Sequence, residues 1–194
     1  MIDQSIIRGL LSKFFLKEKP KSKIGFDVRP GKITEDLILE NNGKPTKTRV
    51  GHSLIKEQML KENIYFSGES SGHFFLNMPI GCFEVPNIVI LKLLQEFSAS
   101  DQKISEQVKI YKKYFHSGEI NREVKDKEKV FKALEKKYKN GKINKLDGLS
   151  VSFKDFWFNV RGSNTENKMR LNLEAVNREI MEKKKKEVLN IIEK

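Results

Sequence analysis

The sequence predicts an α/β domain with a mixed, mostly parallel sheet, followed by a smaller α+β domain that combines an antiparallel sheet with helices. Three observations carry this expectation. Short apolar strand segments alternate with helical segments as far as residue 98, which is the pattern of parallel strands joined by helical crossovers. Beyond residue 119 the strand segments gather into a block with helices to one side, the pattern of an α+β unit. Between the two, the small and polar stretch 98–105 coincides with a change in charge density. The expected partition is therefore 1–98, a helical connector over 99–115, and 116–194.

In the first half, Ile7, Leu10, Leu11, Phe14 and Phe15 recur at helical spacing and predict a core-facing helix that Pro20 ends. Residues 23–28 read as a strand closed by the turn signal Arg29-Pro30-Gly31. A helix over 33–40, stopped by Asn41-Asn42-Gly43, leads to a strand over 46–50 and a helix over 53–62. Ile64-Tyr65-Phe66 is a brief strand running into Gly68. The long apolar run in 87–97 predicts a buried helix.

In the second half, 103–115 reads as helical and 120–124 as a strand, followed by a charged helix over 127–139. Short strands are expected over 143–145, 149–153 and 156–160, separated by turns at Asn140-Gly141 and Asp147-Gly148. Alternating Met169, Leu171, Leu173 and Ala175 mark a last strand, and a basic helix closes the chain.

Composition narrows the function classes. The single cysteine, Cys82, excludes an intrachain disulfide and any site built on several thiolates, and fits a cytoplasmic location. No run approaches the roughly 18 uncharged apolar residues of a membrane helix. The formal net charge is +12. Residues 1–98 hold 14 Lys/Arg against 11 Asp/Glu, and residues 99–194 hold 24 against 15. Such a balance suits nucleic acid, acidic surfaces or phosphorylated small molecules. The lysine runs lack interleaved aromatics, so a nucleic-acid or acidic-partner module is the alternative reading and a solvated charged face the plainer one.

Two polar loops could carry chemistry. Ser67-Gly68-Glu69-Ser70-Ser71-Gly72-His73 places a carboxylate, hydroxyls and an imidazole between glycines. An ionised carboxylate accepts two neighbouring hydroxyl protons, which suits the vicinal diol of a sugar; an ordinary strand-to-helix turn is the competing reading. Arg161-Gly162-Ser163-Asn164-Thr165-Glu166-Asn167 offers many donors in few residues, an array suited to a phosphate dianion. A capped turn with Arg161 in a surface ion pair is the competing reading there.

Taken together, these stretches resemble the α-D-phosphohexomutases, the phosphomannomutase/phosphoglucomutase superfamily. Gly68-Glu69-Ser70-Ser71-Gly72-His73 resembles the family's sugar-specificity loop. Phe158-Asn159-Val160-Arg161-Gly162-Ser163-Asn164-Thr165-Glu166-Asn167, followed by Arg170-Leu171, resembles its phosphate-binding loop. Phe26-Asp27-Val28-Arg29, Val50-Gly51-His52-Ser53-Leu54-Ile55-Lys56 and Asp147-Gly148-Leu149 agree in order and spacing. The resemblance implies that Glu69 and Ser71 hold the sugar's O3 and O4 hydroxyls, with Arg29 and His73 as further contacts. It implies that Arg161, Ser163, Asn164 and Thr165 hold the phosphate that is not reacting. His52 is a proton-relay candidate, with a structural role as its alternative. Gly162 and Asn167 stand where proline is more usual, and Arg29 where lysine is common.

Absences matter as well. The family's Thr-Ala-Ser-His-Asn-Pro loop with its catalytic serine does not occur here, nor does its Asp-Gly-Asp-x-Asp-Arg magnesium loop. No catalytic residue and no metal ligand is assigned to these residues, and Mg2+ is expected in an N-terminal half. The expectation is thus the substrate-binding C-terminal half of a hexose 1-phosphate/hexose 6-phosphate mutase, with little activity alone. Its partners would be a hexose phosphate and the missing N-terminal domains, in cis or as a separate chain.

Overall fold

The computed structural model describes residues 2–163 and 166–193. The chain forms two compact units, Met1–Lys113 and Tyr114–Lys194. The segment 99–113, expected as a separate helical connector, groups with the first unit. It contains only a four-residue helix, α5 (Ile104–Gln107), and a single 3-10 turn, Lys109–Tyr111.

The first unit runs α1 (Gln4–Glu18), β1 (Lys23–Asp27), α2 (Lys32–Glu40), β2 (Lys44–Thr48), α3 (His52–Glu62), β3 (Ile64–Gly68), β4 (Phe74–Met78), β5 (Gly81–Glu84) and α4 (Pro86–Ser98). Its sheet has the order β2-β1-β3-β4-β5. The pairs β2–β1 and β1–β3 are parallel, and β3–β4 and β4–β5 are antiparallel. Each parallel crossover carries a helix, α2 after β1 and α3 after β2.

Side chains alternate across a strand. Phe74 and Leu76 therefore face one side with Leu11, Phe15 and Leu16 of α1, and Phe75 faces the other with Ile55 and Met59 of α3. Helices thus cover both faces of the sheet. At its N-terminus, Asp3 caps α1 by accepting from the Ser5 backbone N–H at 2.8 Å.

Two sequence expectations change here. The pair β4–β5 was not foreseen, because Phe74, Phe75 and Leu76 are all buried and show no alternation. The helix α4 is not buried: Val89 is its buried residue, whereas Ile90, Leu91 and Leu94 are more than half exposed. Only one stripe of it packs against the core, with Val85 and Val89 meeting the α1 side of the sheet.

The second unit runs β6 (Phe115–Glu123), α6 (Lys127–Lys137), β7 (Lys142–Asn144), β8 (Leu149–Ser152), β9 (Phe156–Gly162), β10 (Lys168–Ala175) and α7 (Arg178–Ile192). Its sheet, ordered β6-β10-β9-β8-β7, is antiparallel throughout. Phe158 and Val160 of β9 and Met169, Leu171, Leu173 and Ala175 of β10 pack in one core with Val130 and Leu134 of α6 and Met181, Val188 and Ile192 of α7. Asp126 and Asn177 cap α6 and α7 through their side chains. Strand alternation then puts Trp157, Asn159, Arg161, Arg170, Asn172 and Glu174 on the face opposite these helices.

Candidate functional site

In the first unit the chain leaves β1, crosses to β2 on one side, and returns to β3 on the other side of β1. The carboxyl ends of β1 and β3 therefore form a topological switch point, where an α/β sheet opens a crevice. Phe26 pairs with Gly68, so the residues just beyond, Arg29 and Glu69, emerge side by side.

Buried charges organise this crevice. Asp27 is fully buried and Arg8 is 1% exposed; Arg8 Nη1 lies 3.2 Å from Asp27 Oδ1. Arg29 donates to Asp27 Oδ2 through Nε at 3.0 Å and Nη2 at 2.6 Å. Ser70 donates its backbone N–H to Oδ2 at 2.7 Å and its hydroxyl to Oδ1 at 2.8 Å. Arg8 also donates to the Ser70 hydroxyl at 2.8 Å and to the Pro30 carbonyl. Burial alone would raise the Asp27 pKa. The charges of Arg8 and Arg29, with the hydrogen bonds, outweigh it and hold the carboxyl well below its ordinary range.

Above this cluster sits Glu69, itself 4% exposed. Its Oε1 lies 3.2 Å from Arg29 Nη2 and accepts from the Gly51 backbone N–H at 3.2 Å. Gly51 has a φ of 121°, a backbone region that favours glycine, and this turn brings its N–H to the carboxylate. The loop closes on itself: Glu69 N–H donates to the His73 carbonyl at 2.8 Å, and Gly72 N–H to the Glu69 carbonyl at 3.0 Å. Ser71 is left exposed beside the anchored carboxylate. His52, the first residue of α3, has Nε2 3.8 Å from Glu69 Oε2, and its ring centroid is 4.0 Å from that of His73. His73 Nδ1 is 2.7 Å from Glu84 Oε1, and this hydrogen bond holds the Glu84 carboxyl below its ordinary pKa. The structure thus brings Arg29, His52, Glu69, Ser71 and His73 to one end of one sheet.

In the second unit, the strand register sets Arg161 directly opposite Arg170. Like charges in that position repel, and Glu119 offsets them: its Oε2 is 3.1 Å from Arg161 Nη2 and its Oε1 is 3.6 Å from Arg170 Nη1. Burial opposes ionisation of Glu119, yet its bonds to Arg161 and Asn172 and the arginine charges lower its pKa. Both arginine Nε atoms are buried and have no hydrogen-bond partner among the described residues.

The loop joining β9 to β10 is pinned from α6. Lys127 Nζ donates to the Ser163 carbonyl at 2.7 Å and to the Glu166 carbonyl at 2.8 Å. Ser163 N–H donates to the Lys168 carbonyl at 2.8 Å, and the Ser163 hydroxyl accepts from the Glu166 N–H at 3.2 Å. Asn164 and Thr165, the other two expected phosphate ligands, lie outside the described residues. Sequence reasoning did not assign roles to Arg170, Glu119, Lys127, Asp27 or Arg8. The basic run in α7 is partly paired on the helix itself, Lys184 with Glu187 and Lys185 with Glu182.

Among the described residues, one group of at least three potential metal ligands occurs, His52, His73 and Glu84. Two imidazoles do not suit Mg2+, which takes oxygen ligands, so no step involving Mg2+ is assigned to these residues. No helix among the described residues is long and apolar enough to cross a membrane.

Comparison with known proteins matches both units. Residues 3–114 match the family model described as phosphoglucomutase/phosphomannomutase, alpha/beta/alpha domain III, and residues 119–191 match that for the C-terminal domain. A phosphomannomutase of Methanocaldococcus jannaschii is 40% identical over 189 residues, covering 97% of this chain and 42% of that protein. One from Vibrio cholerae is 33% identical, covering the whole of this chain and 42% of its own length. A phosphoglucomutase/phosphomannomutase family protein from Burkholderia thailandensis superposes with a TM-score of 0.82 at 21% identity, over all of this chain and 43% of that one. The chain therefore spans less than half the length of the relatives it matches.

Proposed function

The chain belongs to the phosphoglucomutase/phosphomannomutase family, and from that premise we propose that it is the hexose-phosphate-recognition half of a phosphohexomutase. The whole enzyme would interconvert hexose 1-phosphate and hexose 6-phosphate, with mannose or glucose as the sugar. The observation that carries this reading is Glu69, a nearly buried carboxylate anchored by Arg29 and the Gly51 N–H, beside the exposed Ser71.

Glu69 accepts hydrogen bonds from two sugar hydroxyls and Ser71 contributes a third contact. Because a diol presents two similar hydroxyls, the same pair serves a sugar bound in either direction, which a reaction through a bisphosphorylated intermediate requires. Arg29 holds the carboxylate oriented before substrate arrives. His52 and His73 flank it and are placed to accept or return a hydroxyl proton. Arg161, with Ser163, Asn164 and Thr165, holds the phosphate that does not react, and Arg170 adds a second guanidinium on the same face. Phosphoryl transfer is mostly positioning and charge compensation. The reactive serine and the Mg2+ would be supplied by N-terminal domains, in cis or as a separate chain.

The exposed apolar stripe of α4, with Ile90, Leu91 and Leu94, fits a surface that such domains cover. Calorimetric titration of the chain with mannose 1-phosphate and glucose 1-phosphate tests recognition. Binding is expected, weakened about tenfold or more in Glu69→Gln, since a hydrogen bond to a charged group contributes about 1.5–3 kcal/mol. No binding of either sugar phosphate rejects the recognition role. Full mutase turnover by the chain alone rejects its assignment as a half-enzyme.

A further inference from the structure

We propose that His52, His73 and Glu84 form a binding site for a borderline transition-metal ion, Zn2+ or Co2+, at the rim of the switch-point crevice. The three come from different elements: His52 opens α3, His73 leads into β4, and Glu84 ends β5. Strand pairing of Phe75 with Glu84 brings the last two together. One donor atom from each lies within 4.8 Å of the other two. His73 Nδ1 and Glu84 Oε1 are already 2.7 Å apart. Donor atoms around a tetrahedral Zn2+ stand roughly 3.3 Å apart for bonds of about 2.0–2.1 Å. His52 and Glu84, both exposed, have room to adjust towards such spacing.

The chemistry of the donors selects the ion. Two neutral imidazoles and one carboxylate match Zn2+ and Co2+ and not Mg2+ or Ca2+. Three protein ligands leave a fourth position for water or an oxygen ligand. Glu69 Oε2, 3.8 Å from His52 Nε2, adds a second carboxylate on the crevice side. Lys56 is the nearby opposing charge: its ammonium lies over the Phe75 ring at 5.4 Å.

Metal binding stands on this geometry alone. A consequence rests on the reading under Proposed function: an ion held here engages both histidines beside Glu69 and lowers affinity for a hexose phosphate.

The test is titration of the chain with Co2+, followed by absorption, and with Zn2+, followed by calorimetry. One ion per chain is expected, with visible bands of four-coordinate Co2+ that Zn2+ abolishes and a hundredfold excess of Mg2+ does not. His52→Ala, His73→Ala and Glu84→Gln should each weaken binding at least tenfold, whereas Cys82→Ser and His116→Ala should leave it unchanged. Circular dichroism of each variant separates loss of the site from loss of the fold. Absence of saturable binding, or wild-type affinity in a correctly folded His52→Ala or Glu84→Gln, overturns the site. Hexose-phosphate titration in chelator, with and without added Zn2+, then tests the consequence: sugar binding that Zn2+ does not weaken overturns the competition and leaves the metal site standing, and no sugar binding even in chelator rejects the recognition reading instead.

Discussion

Asp27, the last residue of β1, and Glu69, just beyond the end of the neighbouring β3, share one guanidinium: Arg29 Nη2 lies 2.6 Å from Asp27 Oδ2 and 3.2 Å from Glu69 Oε1. Glu69 also faces the imidazole of His52 at 3.8 Å. The buried pair Arg8–Asp27 is therefore the base on which Arg29 and Glu69 are held.

Replacing Asp27 with Asn should cost about 3–5 kcal/mol, because it leaves the buried Arg8 guanidinium without its counter-charge. Urea unfolding of the chain measures this. The sign with pH follows from the lowered pKa. The stabilisation is fully present above the unfolded-state value, near 4, and is lost as pH falls through the depressed folded value. The variant should therefore show a shallower loss of stability below about pH 4 than the wild type.

Adjacent serines should separate stability from recognition. Ser70→Ala removes a hydroxyl bonded to both Arg8 and Asp27 and should cost about 1–3 kcal/mol. Ser71 is exposed, so Ser71→Ala should change stability by no more than about 0.5 kcal/mol while weakening hexose-phosphate affinity. Unfolding and calorimetry on the two variants check the contrast.

Glu119 offsets the cross-strand pair Arg161 and Arg170. Glu119→Gln should release both guanidinium groups and raise affinity for inorganic phosphate about fivefold, equivalent to roughly 1 kcal/mol. Calorimetric titration with phosphate reads this, and Arg161→Ala should reverse it.

Lys127 holds the carbonyls of Ser163 and Glu166 in the loop between β9 and β10. Lys127→Met keeps an unbranched apolar stem of similar length and removes both bonds. Amide hydrogen exchange over 163–168 should accelerate, and affinity for the sugar phosphate should fall, with exchange in the β1–β3 sheet unchanged.

Gly148 has a φ of 70° in the turn before β8, and a Cβ there would collide with the Val160 carbonyl. Gly148→Ala should therefore destabilise the second unit by about 2 kcal/mol or more. Thermal unfolding monitored at Trp157, within that unit, reports the shift.

Much of the fold was legible because its signals are local. The helical spacing of Ile7, Leu10, Leu11 and Phe15 appears as α1, and the alternation of Met169, Leu171, Leu173 and Ala175 appears as β10. The loop after β3 was legible because its glycines and hydroxyls break an apolar strand. The pair β4–β5 was not, since Phe74, Phe75 and Leu76 of β4 are buried on both faces and show no period, and the four residues of β5 are too few to show one. Helix α4 misled for a related reason: an apolar run records that a surface avoids water, and does not record which element covers it.

The charged residues divide in the same way. Arg29, Glu69 and Arg161 were named from the sequence because each stands in a recognisable loop. Arg8 reads along the chain only as an interruption of an apolar helix, and its partner Asp27 is 19 residues away. Arg170 faces Arg161, and Asn172 faces Glu119, only because of the β9–β10–β6 register.

By itself the sequence determined most of the order of elements, two loops rich in hydrogen-bonding residues and the family they resemble, all of them properties of contiguous residues. Tertiary structure decided which charges are buried together, which residue orients Glu69, and that two histidines and Glu84 converge. Those outcomes depend on strand order and register across the sheet, where a shift of one residue turns every side chain to the other face.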